Sequence, residues 1–220
     1  HAAALIEKNF NVILIDKNLE SLKKVKKKLK SKYPKAKIII SSTDITKEKK
    51  IKKLKNFLQK NKITIDTLIN NAAANPKMSK YNKSTSGMVE NYNTNFLIEE
   101  INVGILGAFF CSKIFGSDMA KRNFGVIINI GSDLAINSPD HSVYHKSDNI
   151  DNVRHFKPIG YSITKFGLLG LTKYLGTYWA RKNVRCNMLI PGAVKNKQPK
   201  FLIKNVKKRI PMNRWAKPDE

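Results

Sequence analysis

Asn11-Val-Ile-Leu-Ile-Asp16 is a short apolar run that ends in a carboxylate, and a lysine-rich stretch at 18–32 follows it directly. The run has the length and β-branched content of a buried strand. In the stretch that follows, apolar residues recur at helical spacing. The pair therefore predicts a strand followed by an amphipathic helix.

The same alternation of strands and helices continues along the chain. Strands that alternate with helices form a parallel sheet with helices on both faces. We therefore predict a doubly wound parallel sheet in a three-layer α/β/α domain. The further predicted elements are strands at 36–40, 66–69, 126–130 and 184–190, and helices at 47–61, 96–122 and 159–181.

The composition favours a single soluble globular domain over 1–220. Hydrophobic residues make up 41% of the chain and charged residues 26%, and no apolar run approaches the roughly 18 residues that cross a bilayer. Two complete domains would each be unusually small at this length. Both cysteines, Cys111 and Cys186, lie in apolar runs, which favours buried thiols and a cytoplasmic location.

The formal net charge of +26 raises nucleic acid or an acidic membrane surface as partners. The lysines lie mostly on the polar faces of predicted helices, as at 21–30 and 47–55. Lysines spread in this way indicate solvated surfaces, and no aromatic platform for bases accompanies them. The sequence therefore predicts neither a nucleic-acid nor a membrane partner.

Asp16 ends the first predicted strand. In parallel sheets of this kind, ligands bind beyond the carboxyl ends of the strands, where a carboxylate can accept hydrogen bonds from an adenosine ribose and repel a 2′-phosphate. This interpretation favours NAD as cofactor over NADP, and it places the usual glycine-rich phosphate turn before His1. Alternatively, Asp16 stabilises the start of the following helix through its charge.

Tyr161-Ser-Ile-Thr-Lys165 places a phenol and an ammonium one turn apart on the same helical face. A cation close to a phenol lowers the phenol pKa, so that the hydroxyl can exchange a proton near neutral pH. Ser132 follows the strand at 126–130 and can donate a hydrogen bond to the same substrate oxygen. Taken alone, Tyr-x3-Lys also occurs by chance on surface helices, and a serine after a strand can be a helix cap.

In their order, these residues resemble the short-chain dehydrogenase/reductase family over essentially the whole chain. Ser132, Tyr161 and Lys165 match the family's catalytic serine, tyrosine and lysine, of which the lysine also holds the nicotinamide ribose. The resemblance implies a Rossmann fold and an NAD(P)-dependent oxidoreductase that transfers a hydride between nicotinamide and a secondary alcohol or ketone. It further implies a small-molecule alcohol or carbonyl substrate and a homodimer or homotetramer formed through the two long helices.

Three further motifs resemble the family's cofactor site. Asp44-Ile45-Thr46 resembles a segment beside the adenine ring, and Asn70-Asn71-Ala72-Ala73 resembles the Asn-Asn-Ala-Gly turn. Pro191-Gly192 resembles the loop that covers the nicotinamide. The implied cofactor contacts are Asp16, Asp44, Ile45, Asn70, Ala72, Tyr161, Lys165, Pro191 and Gly192.

The chain also departs from the family pattern. Gly104 stands where the family has the asparagine of its proton relay, and the interval from Ser132 to Tyr161 is longer, which predicts an insertion at 136–157 beside the substrate pocket. The first strand with its glycine-rich turn, and the last helix and strand, are expected to lie outside these residues. The last helix and strand are expected to lie after residue 220 because 210–220 resembles the family segment that precedes that helix.

The insertion contains three histidines, His141, His145 and His155. No cysteine accompanies them and the interval after His145 is long, so no metal site is predicted.

The insertion and the Val103-Gly104 pair are similar to a subgroup associated with bacterial surface-sugar biosynthesis, which implies a sugar or a sugar derivative as substrate. The alternative function is a non-catalytic nucleotide-binding relative that acts as a scaffold or regulator.

Overall fold

Strands and helices alternate along the chain in the computed structural model, which describes residues 1–74, 87–144 and 156–220. Asn18 begins the first long helix by accepting a hydrogen bond from the backbone N of Ser21. The elements are α1 (Ala2–Glu7), β1 (Val12–Asp16), α2 (Leu19–Lys32), β2 (Ile38–Ser42), α3 (Glu48–Lys60), β3 (Thr67–Asn70), α4 (Thr94–Ile101), α5 (Gly107–Cys111), α6 (Ser117–Lys121), β4 (Gly125–Ile130), α7 (Ile159–Tyr178), β5 (Val184–Leu189) and α8 (Lys200–Lys207).

The strand pairs are parallel throughout the part of the chain that the structure describes. β1 pairs with β2, and β4 lies between β3 and β5. Among the described residues these are two separate sheets, and within each the carboxyl ends of the strands lie side by side, so that Asp16 is next to Ser42 and Asn70 is next to Asn129. This arrangement gathers the residues that follow the strands, as the sequence predicted.

One long helix spans residues 94–121 and consists of α4, α5 and α6 joined by two π-helical turns, Asn102–Leu106 and Ser112–Gly116. Gly104 lies in the first π turn, where an added Cβ would be 3.0 Å from the Thr164 side chain. An added Cβ at Gly107 would be 2.7 Å from Ile45. The two glycines thus allow the long helix to lie close to α7 and to the loop after β2.

The main core lies between the three-stranded sheet, α3, the long helix and α7. Ile13 and Ile15 of β1 also pack against this core, so both sheets contribute to it. Burying side chains of this size stabilises the fold by about 1.5–3 kcal/mol each. The most deeply buried apolar members are Ile51, Leu58, Met119, Ile127 and Val184.

The order and type of the predicted elements, and with them the α/β fold class, are confirmed. The structure adds α8, which the sequence analysis did not predict, and it ends α7 at Tyr178, with a 3-10 turn at Ala180–Lys182. The predicted insertion at 136–157 contains a 3-10 turn at His141–Tyr144, and its residues 145–155 lie outside the described part of the chain. The single domain over 1–220 stays a prediction. No helix within the described ranges is both long and apolar enough to cross a membrane.

Candidate active site

Tyr161 and Lys165 lie near the start of α7, one helical turn apart. Lys165 is only 7% exposed, and its Nζ donates a hydrogen bond to the backbone oxygen of Ile130 at 2.7 Å. The same Nζ lies 5.6 Å from the centroid of the Tyr161 ring. The start of α7 is therefore fixed against the carboxyl end of β4, with the phenol and the ammonium on the same side.

Ser132 lies two residues beyond β4 and is buried. Its Oγ donates to Asp133 Oδ1 at 2.6 Å and accepts from the backbone N of Leu134 at 3.3 Å, so it caps the short 3-10 turn Asp133–Ala135. If the Ser132 hydroxyl turns from Asp133 to Tyr161, it donates to the phenolate, and this effect lowers the pKa of the phenol. The structure confirms the interpretation of Ser132 as a cap, and its hydrogen bond to a substrate oxygen stays a prediction.

Burial dominates the electrostatics of the tyrosine and lysine pair. It raises the pKa of Tyr161 because the phenolate loses its water, and the carboxylate of Asp133 raises this pKa further. Burial also lowers the pKa of Lys165. The expected net lowering of the Tyr161 pKa is therefore wrong for this arrangement, in which the Lys165 ammonium is bonded to Ile130.

Asp16 is exposed at the carboxyl end of β1. Its Oδ1 accepts a hydrogen bond from the backbone N of Asn18 at 2.8 Å, and Asn18 in turn caps α2. The carboxylate therefore supports the loop into the helix, as the alternative interpretation expects. Its exposure beyond the strand end also leaves it accessible to a ribose, so the two roles are compatible.

Asp44 and Ile45 follow β2 and have local partners. Asp44 Oδ1 accepts from the backbone N of Thr46 at 3.0 Å and from its hydroxyl at 2.7 Å, which lowers the pKa of Asp44. Ile45 packs against the main core and against Gly107 of the long helix. Local structure is sufficient to explain both residues, and their contact with an adenine ring stays a prediction.

Asn70 ends β3 and joins a buried polar network behind the site. Its Nδ2 donates to Asn129 Oδ1 at 2.8 Å and to Ser112 Oγ at 3.1 Å. The fully buried Asn129 donates through its own Nδ2 to Thr172 Oγ1 at 2.8 Å. This network links β3, β4, the long helix and α7, which makes it a support for the site. The sequence analysis missed Asn129, although a polar residue inside an apolar strand was an available signal.

The loop after β5 contacts the loop that holds Ser132. The backbone oxygen of Pro191 accepts from the backbone N of Asp133 at 3.4 Å, and Gly131 N donates to Leu189 O at 2.8 Å. Gly192 and Ala72 are exposed beyond their strands, and an added Cβ at Gly192 would meet nothing within 4 Å. Packing therefore gives no reason for glycine at position 192.

The structure brings Ser132, Tyr161, Lys165 and Pro191 together, whereas Asp16 and the segment 44–46 lie at the ends of the other two strands. Within 1–74, 87–144 and 156–220, no cluster of acidic, histidine or cysteine side chains could hold a metal ion. His141 Nδ1 accepts from the backbone N of Lys157 at 3.3 Å. His145 and His155 lie outside the described residues.

The chain matches known proteins along its whole length. Residues 1–147 match the family model described as short chain dehydrogenase, and residues 150–220 match one described as enoyl-(acyl carrier protein) reductase. A 3-oxoacyl-[acyl-carrier-protein] reductase FabG from Buchnera aphidicola subsp. Baizongia pistaciae is 31% identical over 192 residues, which cover 85% of this chain and 68% of that protein.

Solved structures share the fold. ElxO with NADP bound superimposes with a TM-score of 0.78 at 23% identity, over 98% of this chain and 79% of that chain. Xylitol dehydrogenase bound to NAD+ also gives a TM-score of 0.78, at 20% identity, over 98% of this chain and 81% of that chain. Both likenesses show a Rossmann-like α/β fold.

Proposed function

Because this chain belongs to the short-chain dehydrogenase family, it is an NAD(P)-dependent oxidoreductase of secondary alcohols or ketones, and we propose that Ser132, Tyr161 and Lys165 form its catalytic site. The observation that carries this proposal is the convergence of the three side chains at the carboxyl end of β4, where Lys165 is bonded to Ile130. The comparisons give no support to the alternative of a non-catalytic scaffold.

Tyr161 exchanges the proton of the reaction. In ketone reduction its hydroxyl donates a proton to the substrate oxygen while the carbonyl carbon gains a hydride, and in alcohol oxidation the phenolate accepts the hydroxyl proton. Ser132 orients the same substrate oxygen by a hydrogen bond, and the Lys165 ammonium favours the phenolate electrostatically. When bound, NAD(P) supplies or accepts the hydride.

The polar groups at the strand ends fit a dinucleotide. The exposed carboxylate of Asp16 can accept hydrogen bonds from a ribose, and an ammonium has three donors, of which Lys165 uses one for Ile130. Since a carboxylate repels a 2′-phosphate, a preference of this chain for NAD over NADP is part of the proposal. The other proposed contacts are Asp44, Ile45, Asn70, Ala72, Tyr161, Pro191 and Gly192.

The family's reaction limits the substrate to a secondary alcohol or ketone, and the fold does not narrow this class further. The narrower resemblance to a surface-sugar subgroup has no support from the comparisons. The names of two relatives, a 3-oxoacyl reductase and a xylitol dehydrogenase, correspond to different classes of substrate. The test is a panel of polyols, hydroxy acids, 3-oxoacyl thioesters and simple ketones, with nicotinamide absorbance as the readout. Turnover of a secondary alcohol or ketone supports the proposal, and no turnover across the panel with either cofactor counts against it.

A homodimer or homotetramer is also proposed, and a cytoplasmic location stays a prediction. Large apolar side chains are exposed on both the long helix and α7, which are the two helices expected to form the interface. Exposed apolar side chains on neighbouring helices are typical of surfaces that pack against a partner. The exposed residues are Phe96, Ile98, Leu106 and Phe109 on the long helix, and Ile163, Phe166, Tyr174 and Tyr178 on α7.

A further inference from the structure

A second lysine, Lys157, lies against Tyr161. Its Nζ is 3.7 Å from the centroid of the tyrosine ring, closer than the Nζ of Lys165 at 5.6 Å. Lys157 comes directly before Pro158, which precedes α7, and its backbone N is bonded to His141. Its side chain is half-buried, and the ammonium lies over the face of the ring.

Two carboxylates face this ammonium. Burial lowers the pKa of Lys157, and the ammonium of Lys165 lowers it further, whereas the carboxylates of Asp133 and Glu100 partly offset this change because both attract the charged form. Glu100 lies on α4, is only 2% exposed and accepts a hydrogen bond from the hydroxyl of Tyr92. Glu100 can approach the start of α7 because residue 160 is glycine, where an added Cβ would lie 1.9 Å from Glu100 Oε2.

Asp133 creates an electrostatic problem for the tyrosine. Its carboxylate is adjacent to Ser132 and disfavours the phenolate of Tyr161, in addition to the effect of burial. Lys165 is oriented by its bond to Ile130 and lies farther from the ring than Lys157 does. Lys157 is therefore the cation nearest to the tyrosine ring among the residues that the structure describes.

We propose that Lys157 is a positioning residue for Tyr161: the ammonium of Lys157 offsets the carboxylate of Asp133 and favours the ionised form of the phenol. A cation over an aromatic face is attracted by the ring even when the ring is neutral, and the attraction increases when the phenol carries a full negative charge. The inference rests on the proposed function, in which Tyr161 exchanges the substrate proton. The titratable groups that face the pair are Asp133, Glu100, Lys165, His141 and Tyr144, of which Tyr144 is held protonated because burial raises its pKa to about 12.

The test is a direct titration of Tyr161 by NMR. In protein labelled with carbon-13 at the ζ carbon of tyrosine, the Tyr161 signal is identified by its absence in Tyr161→Phe. We expect Lys157→Met to raise the pKa of Tyr161 by about 1 unit. Lys157→Arg should keep this pKa near that of the unmodified protein, and Asp133→Asn combined with Lys157→Met should bring it back down. Lys173→Met is the matched control, because Lys173 is an exposed lysine farther along α7.

An unchanged titration of Tyr161 in Lys157→Met would overturn the inference. Lys157→Gln carries the same test if the methionine variant does not fold, because it keeps a polar group in the half-buried position. The NMR titration needs no substrate, so the two proposals fail separately. Inactivity on every alcohol and ketone would count against the proposed function alone, and an active enzyme with an unshifted Tyr161 in Lys157→Met would count against this inference alone.

Discussion

Lys165 Nζ donates a hydrogen bond to the backbone oxygen of Ile130 at 2.7 Å, across 35 positions of the chain. The bond joins α7 to the end of β4, two residues before Ser132. It therefore fixes the distance between the two halves of the proposed catalytic site, one on the helix and one after the strand. The chemistry of Tyr161 consequently depends on the same packing that buries it.

The pH dependence of turnover should follow the ionisation of Tyr161. Burial and Asp133 raise the pKa of Tyr161, so the phenolate is scarce at neutral pH. Alcohol oxidation needs the phenolate and should become faster as the pH rises towards that raised pKa. Ketone reduction needs the neutral phenol, so it should persist through neutral pH and be lost above the same pKa. Rates measured in both directions from about pH 6 to about pH 10 check this, and an oxidation rate that falls over that range would contradict it.

Replacing Asp16 should change the cofactor preference. In Asp16→Ser the repulsion of a 2′-phosphate is removed, so NADP should bind about tenfold more tightly relative to NAD, equivalent to about 1.4 kcal/mol. Calorimetric titration with each cofactor measures this ratio. Asp16→Asn is the matched control for loop support, because it keeps an oxygen acceptor for the backbone N of Asn18 while removing the charge. If neither variant changes the ratio, Asp16 does not select the cofactor.

Glu100→Gln should stabilise the protein at high pH only. Burial raises the pKa of Glu100, so its ionised form is disfavoured in the folded state. The resulting loss of stability is absent below the carboxyl's ordinary pKa, grows as the pH rises from that value to the raised one, and is complete above the raised value. We expect the variant to gain about 1 kcal/mol in the free energy of unfolding at about pH 8 and nothing at about pH 4. Glu99→Gln, at an exposed neighbour, is the control, and an equal effect of Glu100→Gln at both pH values would contradict the assignment.

A charge placed on α7 should dissociate the proposed oligomer. Phe166 is 46% exposed in the single chain, and Phe166→Glu would require a carboxylate to be buried in the interface. A penalty of about 2 kcal/mol weakens association about thirtyfold, which sedimentation velocity at micromolar protein detects as smaller species. Phe57→Glu, on the exposed face of α3, should leave the assembly unchanged. The interface lies elsewhere if both variants sediment like the unmodified protein.

Patterns within single elements made much of the fold predictable. Alternating strands and amphipathic helices are encoded by residues close together in sequence, and Tyr161 and Lys165 are four positions apart on one helix, so their shared face follows from helical geometry. The long-range polar contacts have no such signal. Asn129 is bonded to Asn70 and Thr172, which are 59 and 43 positions away.

Burial and charge placement were the parts that the sequence could not supply. The direction of the Tyr161 pKa was predicted wrongly because residue spacing does not show how much water surrounds a phenol. Lys157 was not singled out because it lies in a stretch without periodicity, and its contact with Tyr161 arises only when α7 begins beside it. Similarly, Ile45 was expected at the cofactor, whereas the packing of Gly107 against it became visible only in three dimensions.

The most direct test of the account is Tyr161→Phe, with turnover and NAD binding measured on the same preparation. The substrate is any secondary alcohol or ketone that the unmodified protein converts, and Tyr174→Phe, at an exposed tyrosine of α7, is the matched control. The account predicts that Tyr161→Phe, which keeps the aromatic ring, still binds NAD while its turnover falls by about 10²–10⁴, because the hydroxyl that transfers the proton is lost. A Tyr161→Phe variant that keeps the turnover of the control would contradict the assignment of Tyr161 as the acid–base group.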